Sequence, residues 1–457
     1  MAAIVLSGGL RLEGQVTFLH GADLHLGSPL SSVGRMSAEL REKIREAGYT
    51  AFRRMIDAAL RHKVEFVVLC GDIYDQTERS ARAKGFFIEQ MDRLKHAAIP
   101  VYLIYGNHDP LGKRPAYFKY PDNVHILAAA EVDIMEVVGK DGRIKARILG
   151  QSYNQPWEKG KMHQSYTPPD HNVVNIALLH TGLNTSTMNY VPCSAAELKN
   201  IPGFDYWALG HIHQRQVVHS QYPVIAFPGS PQGRHMGEPG LGGCLLVTAQ
   251  RGKAATLQFI PTSSIVWLAR DVPVKESDRS EDDLIASMIE TGDQLLAAAA
   301  AMSGPEMDLA PGEVIDIEGF IVRWKFSGRG EIHNIIANDD EIAPELVERM
   351  RRELGGGSPF LWTEDVRFET ASPLVDLENI SAEDVVLGTL LQTYQEFADD
   401  PAMREQVIKL IGKSWFEQHD GEDVRDKALP LNDAAYNSLL RRALHLAVER
   451  ILEGRAL

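Results

Sequence analysis

Five short motifs carry residue types suited to hydrolytic metal chemistry. They are Asp23-x-His25, Gly71-Asp72-x-x-Asp75, Gly106-Asn107-His108-Asp109, an isolated His180 after an apolar run, and Gly210-His211-x-His213. Carboxylate and amide oxygens mixed with imidazole nitrogens are the ligands of divalent transition ions. Two such ions about 3.5–4 Å apart repel one another unless a carboxylate bridges them. Asp72 is placed to be that bridge. Asp23, His25 and His213 then complete one ion, and Asn107, His180 and His211 the other. The neutral amide of Asn107 binds without adding negative charge, which leaves the pair positive enough to take a phosphate. A single Asp or His at a strand end is more often a hydrogen-bonded structural group, so it is the ordered set of five that points to a metal pair.

These residues need strand ends to hold them. Val16–Leu19, Phe66–Cys70 and Val101–Tyr105 are short apolar runs rich in β-branched and aromatic residues, and each stops at a site motif. Between them the spacing predicts helices from Ser37, a plausible N-cap, to about His62 and from about Arg79 to Ala97. This is β-α-β-α-β, which implies parallel strands with their carboxyl ends on one rim. Short strands then follow one another at Val124–Leu127, Val132–Val138, Arg143–Leu149, Val174–Leu179, Tyr206–Leu209, Val224–Phe227 and Cys244–Val247. They read as a second sheet packed on the first. The expected fold class is α/β, a two-sheet β-sandwich flanked by helices, followed by a small α/β capping region and C-terminal helices. The expected organisation is a leader over 1–15, a catalytic domain over 16–270, a capping-like domain over 271–375 and a helical region over 376–457. Within the tail, Glu281–Met302 reads as helix, Ile315–Phe326 as strand, Pro344–Leu354 as helix and Val366–Phe368 as strand. Residues 355–359 (Gly-Gly-Gly-Ser-Pro) form a break.

With 457 residues and 44% hydrophobic content, the chain can bury more than one core. No apolar run approaches the roughly 18–20 residues of a membrane span, and no basic stretch precedes the short apolar start. The expectation is a cytoplasmic protein without a membrane partner. Three cysteines without C-x-x-C spacing argue against a disulfide framework and a cysteine-bound zinc. The net charge of −15 is unevenly spread. Residues 1–270 hold 29 Lys and Arg against 23 Asp and Glu, whereas the rest hold 18 against 39. An anionic substrate is tolerated by the first part and not expected along the second, although a well-solvated set of helices explains the acidic tail equally well.

The set Asp23/His25, Asp72, Asn107-His108-Asp109, His180 and His211/His213 resembles the calcineurin-like binuclear metallophosphoesterases. Phe18-Leu19-His20-Gly21-Ala22-Asp23-Leu24-His25-Leu26-Gly27-Ser28-Pro29 further resembles the SbcD-type DNA repair exonuclease subunit. That opening is closest to its YhaO-like branch, as is Phe227-Pro228-Gly229-Ser230-Pro231-Gln232-Gly233-Arg234-His235. The resemblance covers residues 17 to about 247. It implies metal-dependent phosphodiester hydrolysis, with manganese as the ion pair and DNA as the substrate of an exonuclease or endonuclease acting in repair. It also implies that His108 is not a ligand but assists the leaving group. Asp75 stands where many phosphatases of the superfamily place the carboxylate paired with that histidine. Arg234 and His235 either approach the substrate phosphate or stabilise their own loop. A companion SbcC-like coiled-coil ATPase is implied, docked by the C-terminal helices, though packing against their own chain explains those helices equally well. A homodimer is the alternative assembly. Two further functions stay open: a phosphatase or phosphodiesterase for small molecules or phosphoproteins, and a non-catalytic scaffold of an ATPase complex.

Overall fold

The computed structural model describes residues 14–28, 36–75, 81–113, 119–169, 172–184, 189–300, 316–373, 385–408 and 433–453. Several expected features lie outside them: residues 1–13 of the leader, Arg79, Met302, Ile315, and the parts of the C-terminal helical region at 376–384, 409–432 and 454–457. The described residues fall into two compact units. One lies within Met1–Val272, Ile285–Lys325 and Ala343–Arg367, and the other within Pro273–Leu284, Phe326–Ile342 and Phe368–Leu457.

The first unit is built on two six-stranded sheets. In the first sheet, β1 (Gln15–Gly21), β2 (Phe66–Cys70), β3 (Val101–Ile104) and β4 (Val124–Ile126) run parallel. Helices α1 (Ala38–Arg61) and α2 (Ala81–His96) make the first two crossovers. The Ser37 hydroxyl caps α1 by accepting the Leu40 N–H. The second sheet has β6 (Ile144–Gly150), β7 (Val174–His180), β8 (Tyr206–Gly210) and β10 (Val224–Phe227) in parallel. The antiparallel strands β5 (Asp133–Val138) and β9 (Gln216–His219) close its edges. Two strands expected in this sheet belong to the first. β4 extends the parallel run beside β3, and β11 (Gly243–Gln250) returns antiparallel to β1 from Gln15↔Gln250 to His20↔Leu245. β12 (Thr256–Pro261) then pairs with β11. Without β11, the edge of β1 would expose unpaired backbone groups beside the site.

Residues of alternate parity on each strand explain the layers. Phe18, Phe66, Val68, Tyr102 and Ile104 face Ile148, Ile176, Leu178, Tyr206 and Ala208 across the sandwich. The opposite parity, Leu19, Val67, Leu69 and Leu103, packs on Phe52, Met55, Ile56, Phe87 and Met91 of α1 and α2. Trp207, Leu179 and Ile225 do the same on the far side of the second sheet, against Leu198 of the short helix α3 (Ala195–Asn200). The sheet of β13 (Ile265–Pro273), β14 (Gly319–Arg329) and β15 (Phe360–Ala371) contributes Ile265, Trp267, Ile321, Phe360 and Trp362 to a cluster with Leu40 and Ile44 of α1. Helix α4 is Glu281–Ala300, α5 Ile332–Ala337 and α6 Ile342–Leu354. In the second unit, α7 (Val385–Asp399) and the helix Asp433–Glu453 meet through Leu387, Leu444 and Val448. Leu390, Leu391, Tyr394 and Ile451 are partly buried there, while Val385 and Val386 stay exposed. No described helix is long and apolar enough to cross a membrane.

His20 is fully buried between the two sheets of the sandwich. Its Nδ1 lies 2.9 Å from the Tyr206 hydroxyl and its Nε2 3.1 Å from the Leu209 carbonyl. A neutral ring satisfies both, with Nε2–H donating. Burial pulls its pKa down to about 3, against a weaker opposing pull from the Leu209 carbonyl. The unfolded chain therefore binds this proton before the folded one does, so His20 costs stability as pH falls from about 6.5 toward about 3. His20→Gln keeps a donor and an acceptor but does not titrate. Urea denaturation of this variant should show a shallower loss of stability over that window, and a slope equal to the parent's would contradict the assignment.

Candidate metal centre

Every motif residue arrives at one rim of the sandwich in the first unit, and the backbone is bent sharply to bring it there. Asp23, His25, Asp72 and His211 have φ of 52, 44, 52 and 99°, in the left-handed region that non-glycine residues rarely occupy. The neighbouring glycines permit close approach. A Cβ on Gly106 would stand 2.3 Å from Asp72 Oδ1, and one on Gly210 would stand 1.8 Å from the Cys70 carbonyl oxygen.

Two groups of side chains share Asp72. Asp23, His25, Asp72 and His213 offer ligand atoms close enough to hold one ion, and so do Asp72, His180 and His211. Asn107 belongs beside the second group, because its Oδ1 lies 2.9 Å from His180 Nε2 and 3.0 Å from His211 Nδ1. Asp72 Oδ1 accepts the His108 N–H at 2.9 Å. Its Oδ2 is buried without a hydrogen-bond partner, 3.4 Å from His180 Nε2 and 3.9 Å from His25 Nε2. His25 Nε2 and His213 Nε2 face each other at 3.3 Å. Asp23 accepts the His211 N–H with both oxygens, which ties the first motif to the last.

The electrostatics ask for positive charge. Burial would raise the Asp72 carboxyl, but His180, His25 and His108 outweigh it and hold it well below the usual carboxylate range. Burial would likewise lower His180, yet Asp72 and Asp23 push it up to about 9. In the protein alone a proton thus supplies the cation that this carboxylate needs. His211, desolvated and beside His180, drops to about 3. His180 Nδ1–H donates to the Cys70 carbonyl at 2.9 Å, which aims Nε2 inward. Buried acceptors of mixed oxygen and nitrogen type around an orphaned carboxylate oxygen fit a divalent ion, and Asp72 lies where two would meet.

Beside this cluster, His108 Nδ1–H donates to Asp75 Oδ1 at 2.5 Å, and that bond raises the His108 pKa. Ser28 donates to Asp75 Oδ2, and His25 Nδ1 and Arg234 Nη1 each lie 3.4 Å from the same oxygen. Asp109 accepts the N–H groups of Ile73, Tyr74 and Gly106 at 2.7, 3.2 and 2.9 Å, clamping two motif loops together. His235 stands at the edge with half its side chain exposed, 3.3 Å from Glu238 Oε1. Glu238 was not foreseen from the sequence, nor were Ser28 and Tyr190, whose ring lies 4.7 Å from that of His211. Glu238 is separated from His213 by 25 residues of loop and strand, so no spacing rule connects them. The one available signal was a carboxylate four residues beyond Arg234 in a glycine-rich loop.

Residues 16–215 match the calcineurin-like phosphoesterase family. The chain carries a calcineurin-like phosphoesterase domain. The matched residues run from β1 to just beyond β8, and so hold most of both six-stranded sheets. Over 268 residues it is 37% identical to the uncharacterized metallophosphoesterase YhaO of Bacillus subtilis, covering 57% of this chain and 64% of that protein. It is 29% identical over 221 residues to the DNA double-strand break repair protein Mre11 of Sulfurisphaera tokodaii, covering 47% of this chain and 53% of that one. With the Mre11 of Sulfolobus acidocaldarius it shares 31% over 208 residues, covering 43% and 50%. The matched part thus spans about half to just under two thirds of these relatives.

Asp109 tests the construction of the candidate site apart from its chemistry. Asp109→Ala leaves three buried N–H groups without an acceptor and should cost about 3 kcal/mol in urea denaturation. Burial and the Asp72 charge push the Asp109 pKa up to about 7, so Asp109→Asn, close to the neutral form in shape, should cost less. Equal costs for the two variants would contradict the clamp.

Proposed function

We propose that this chain is a metal-dependent phosphodiester hydrolase, a DNA exonuclease or endonuclease of the SbcD type working with two divalent ions, Mn2+ in the native state. The observation that carries the proposal is Asp72 shared by two ligand groups, with the Asp75–His108 pair immediately beside it. Asp23, His25, Asp72 and His213 would hold one ion, and Asp72, Asn107, His180 and His211 the other. When bound, such a pair neutralises phosphate charge and lowers the pKa of water from 15.7 toward about 7.

The chain's own residues do the rest. Asp75 fixes the His108 ring through Nδ1 and favours its protonated form, from which Nε2 would deliver a proton to the departing oxygen. The partly exposed His108 side chain gives a substrate access to that nitrogen. Arg234 and His235 border the same edge, where Arg234 adds positive charge and His235 a hydrogen-bonding ring for the phosphate. The names of the Mre11 relatives favour DNA, and the positive balance of residues 1–270 is compatible with it. The domain limits proposed are 16–270 for catalysis, 271–375 for capping and 376–457 for the helical region. The exposed Val385 and Val386 leave α7 able to dock an SbcC-like coiled-coil ATPase or a second copy of the chain, in the cytoplasm.

The discriminating assay is digestion of end-labelled DNA with Mn2+ and with a chelator, run beside an aryl phosphodiester and an aryl phosphomonoester. Chelator-sensitive cleavage of DNA is expected. Monoester hydrolysis with intact DNA would instead favour a small-molecule or phosphoprotein phosphatase, and no hydrolysis of any substrate a non-catalytic scaffold. His108→Ala should keep about two metals per chain by elemental analysis and lose about 10²–10⁴-fold in turnover. Asp72→Ala should lose both metal and turnover. A His108→Ala protein that binds no metal, or cleaves at the parent rate, would refute the role given to His108.

A further inference from the structure

Glu238 lies in the loop between β10 and β11, and nine-tenths of it is buried. Three basic groups converge on its Oε1: His213 Nδ1 at 2.6 Å, Arg234 Nη2 at 3.1 Å and His235 Nε2 at 3.3 Å. Its Oε2 accepts the backbone N–H of Arg234 at 2.9 Å. The loop closes on itself to put the carboxylate there. The Glu238 N–H donates to the His235 carbonyl at 2.9 Å, and a Cβ on Gly233 would stand 2.5 Å from the Glu238 carbonyl oxygen. A loop wound this tightly around one acid holds that acid rigidly.

We propose that Glu238 is a positioning residue of the centre: it fixes His213 with Nε2 toward the ion taken by Asp23 and His25, and it anchors Arg234 against Asp75. The inference rests on the metal-dependent reading above. An imidazole that donates from Nδ1 presents the lone pair of Nε2, and a carboxylate acceptor both selects that tautomer and makes the ring a stronger ligand. His213 Nε2 does face His25 Nε2, at 3.3 Å. Arg234 carries the effect further, because Nη2 is held by Glu238 while Nη1 lies 3.4 Å from the carboxylate that orients His108. One buried acid thus links a ligand of the first ion to the leaving-group pair.

The test is Mn2+ titration of the metal-free full-length chain, its Glu238→Ala and its Glu238→Gln variants. Free Mn2+ is read by electron paramagnetic resonance, and thermal melting serves as the fold control. The parent should take up two ions. Glu238→Ala should weaken one site about 10–100-fold and leave the other near its parental affinity. Glu238→Gln, whose amide oxygen still accepts from His213, should weaken the same site by less. Parental affinity at both sites in Glu238→Ala, or equal weakening of both, would overturn the proposal. Should Glu238→Ala fail to melt cooperatively, Glu238→Gln decides: a loss confined to one site supports the role, and no loss or an equal loss at both refutes it. A parent chain that takes up no Mn2+ would instead overturn the metal-dependent reading beneath it.

Discussion

A buried carboxylate that depends on neighbouring positive charge is the constraint around which the first unit is arranged. Asp72 Oδ2 has no hydrogen-bond partner, and taking a carboxylate out of water is expensive unless positive charge compensates it. The compensation is drawn from both sheets. His180 comes from the end of β7 in the second sheet and is held protonated by Asp72, while Asp72 itself follows β2 in the first. A site assembled from the ends of two sheets exists only when the sandwich is closed, so folding and assembly of the centre are one event.

The remaining features serve that closure. His20 spans the sheets with hydrogen bonds to Tyr206 and Leu209, one residue before the β1 end that leads to Asp23. The Asp23 carboxylate reaches across to the N–H of His211, and the His180 ring reaches back to the Cys70 carbonyl. The left-handed conformations at Asp23, His25, Asp72 and His211 are the local cost of these crossings. Strain at four candidate ligands persists because the packed strands and cross-sheet hydrogen bonds fix each from both sides.

Much of this was legible in the sequence, for identifiable reasons. Strands buried on both faces announce themselves as apolar runs, unbroken in Phe66–Cys70 and interrupted only by Asn175 before His180 in Val174–His180, and their ends mark the motif residues. The helix starting after Ser37 was marked by its cap and by its apolar spacing. What could not be read was pairing at long range. β11 reads like any short apolar strand, and only its partner β1, more than 220 residues earlier, places it in the first sheet. Edge strand β9 has only Val217 and Val218 between the polar Gln216 and His219, too short an apolar run to stand out. Glu238 was illegible for the same reason, since its meaning depends on a loop path that brings it under His213. The stripe of Leu390, Leu391 and Tyr394 was readable as an apolar face, but its partial burial against Leu444 and Val448 depends on a helix about 50 residues away.

The most direct measurement of the central claim is anomalous diffraction at the manganese absorption edge from crystals of the full-length protein equilibrated with Mn2+. The account predicts two peaks on either side of the Asp72 carboxylate, one beside Asp23, His25 and His213 and the other beside Asn107, His180 and His211. A single peak, or peaks remote from Asp72, would contradict it.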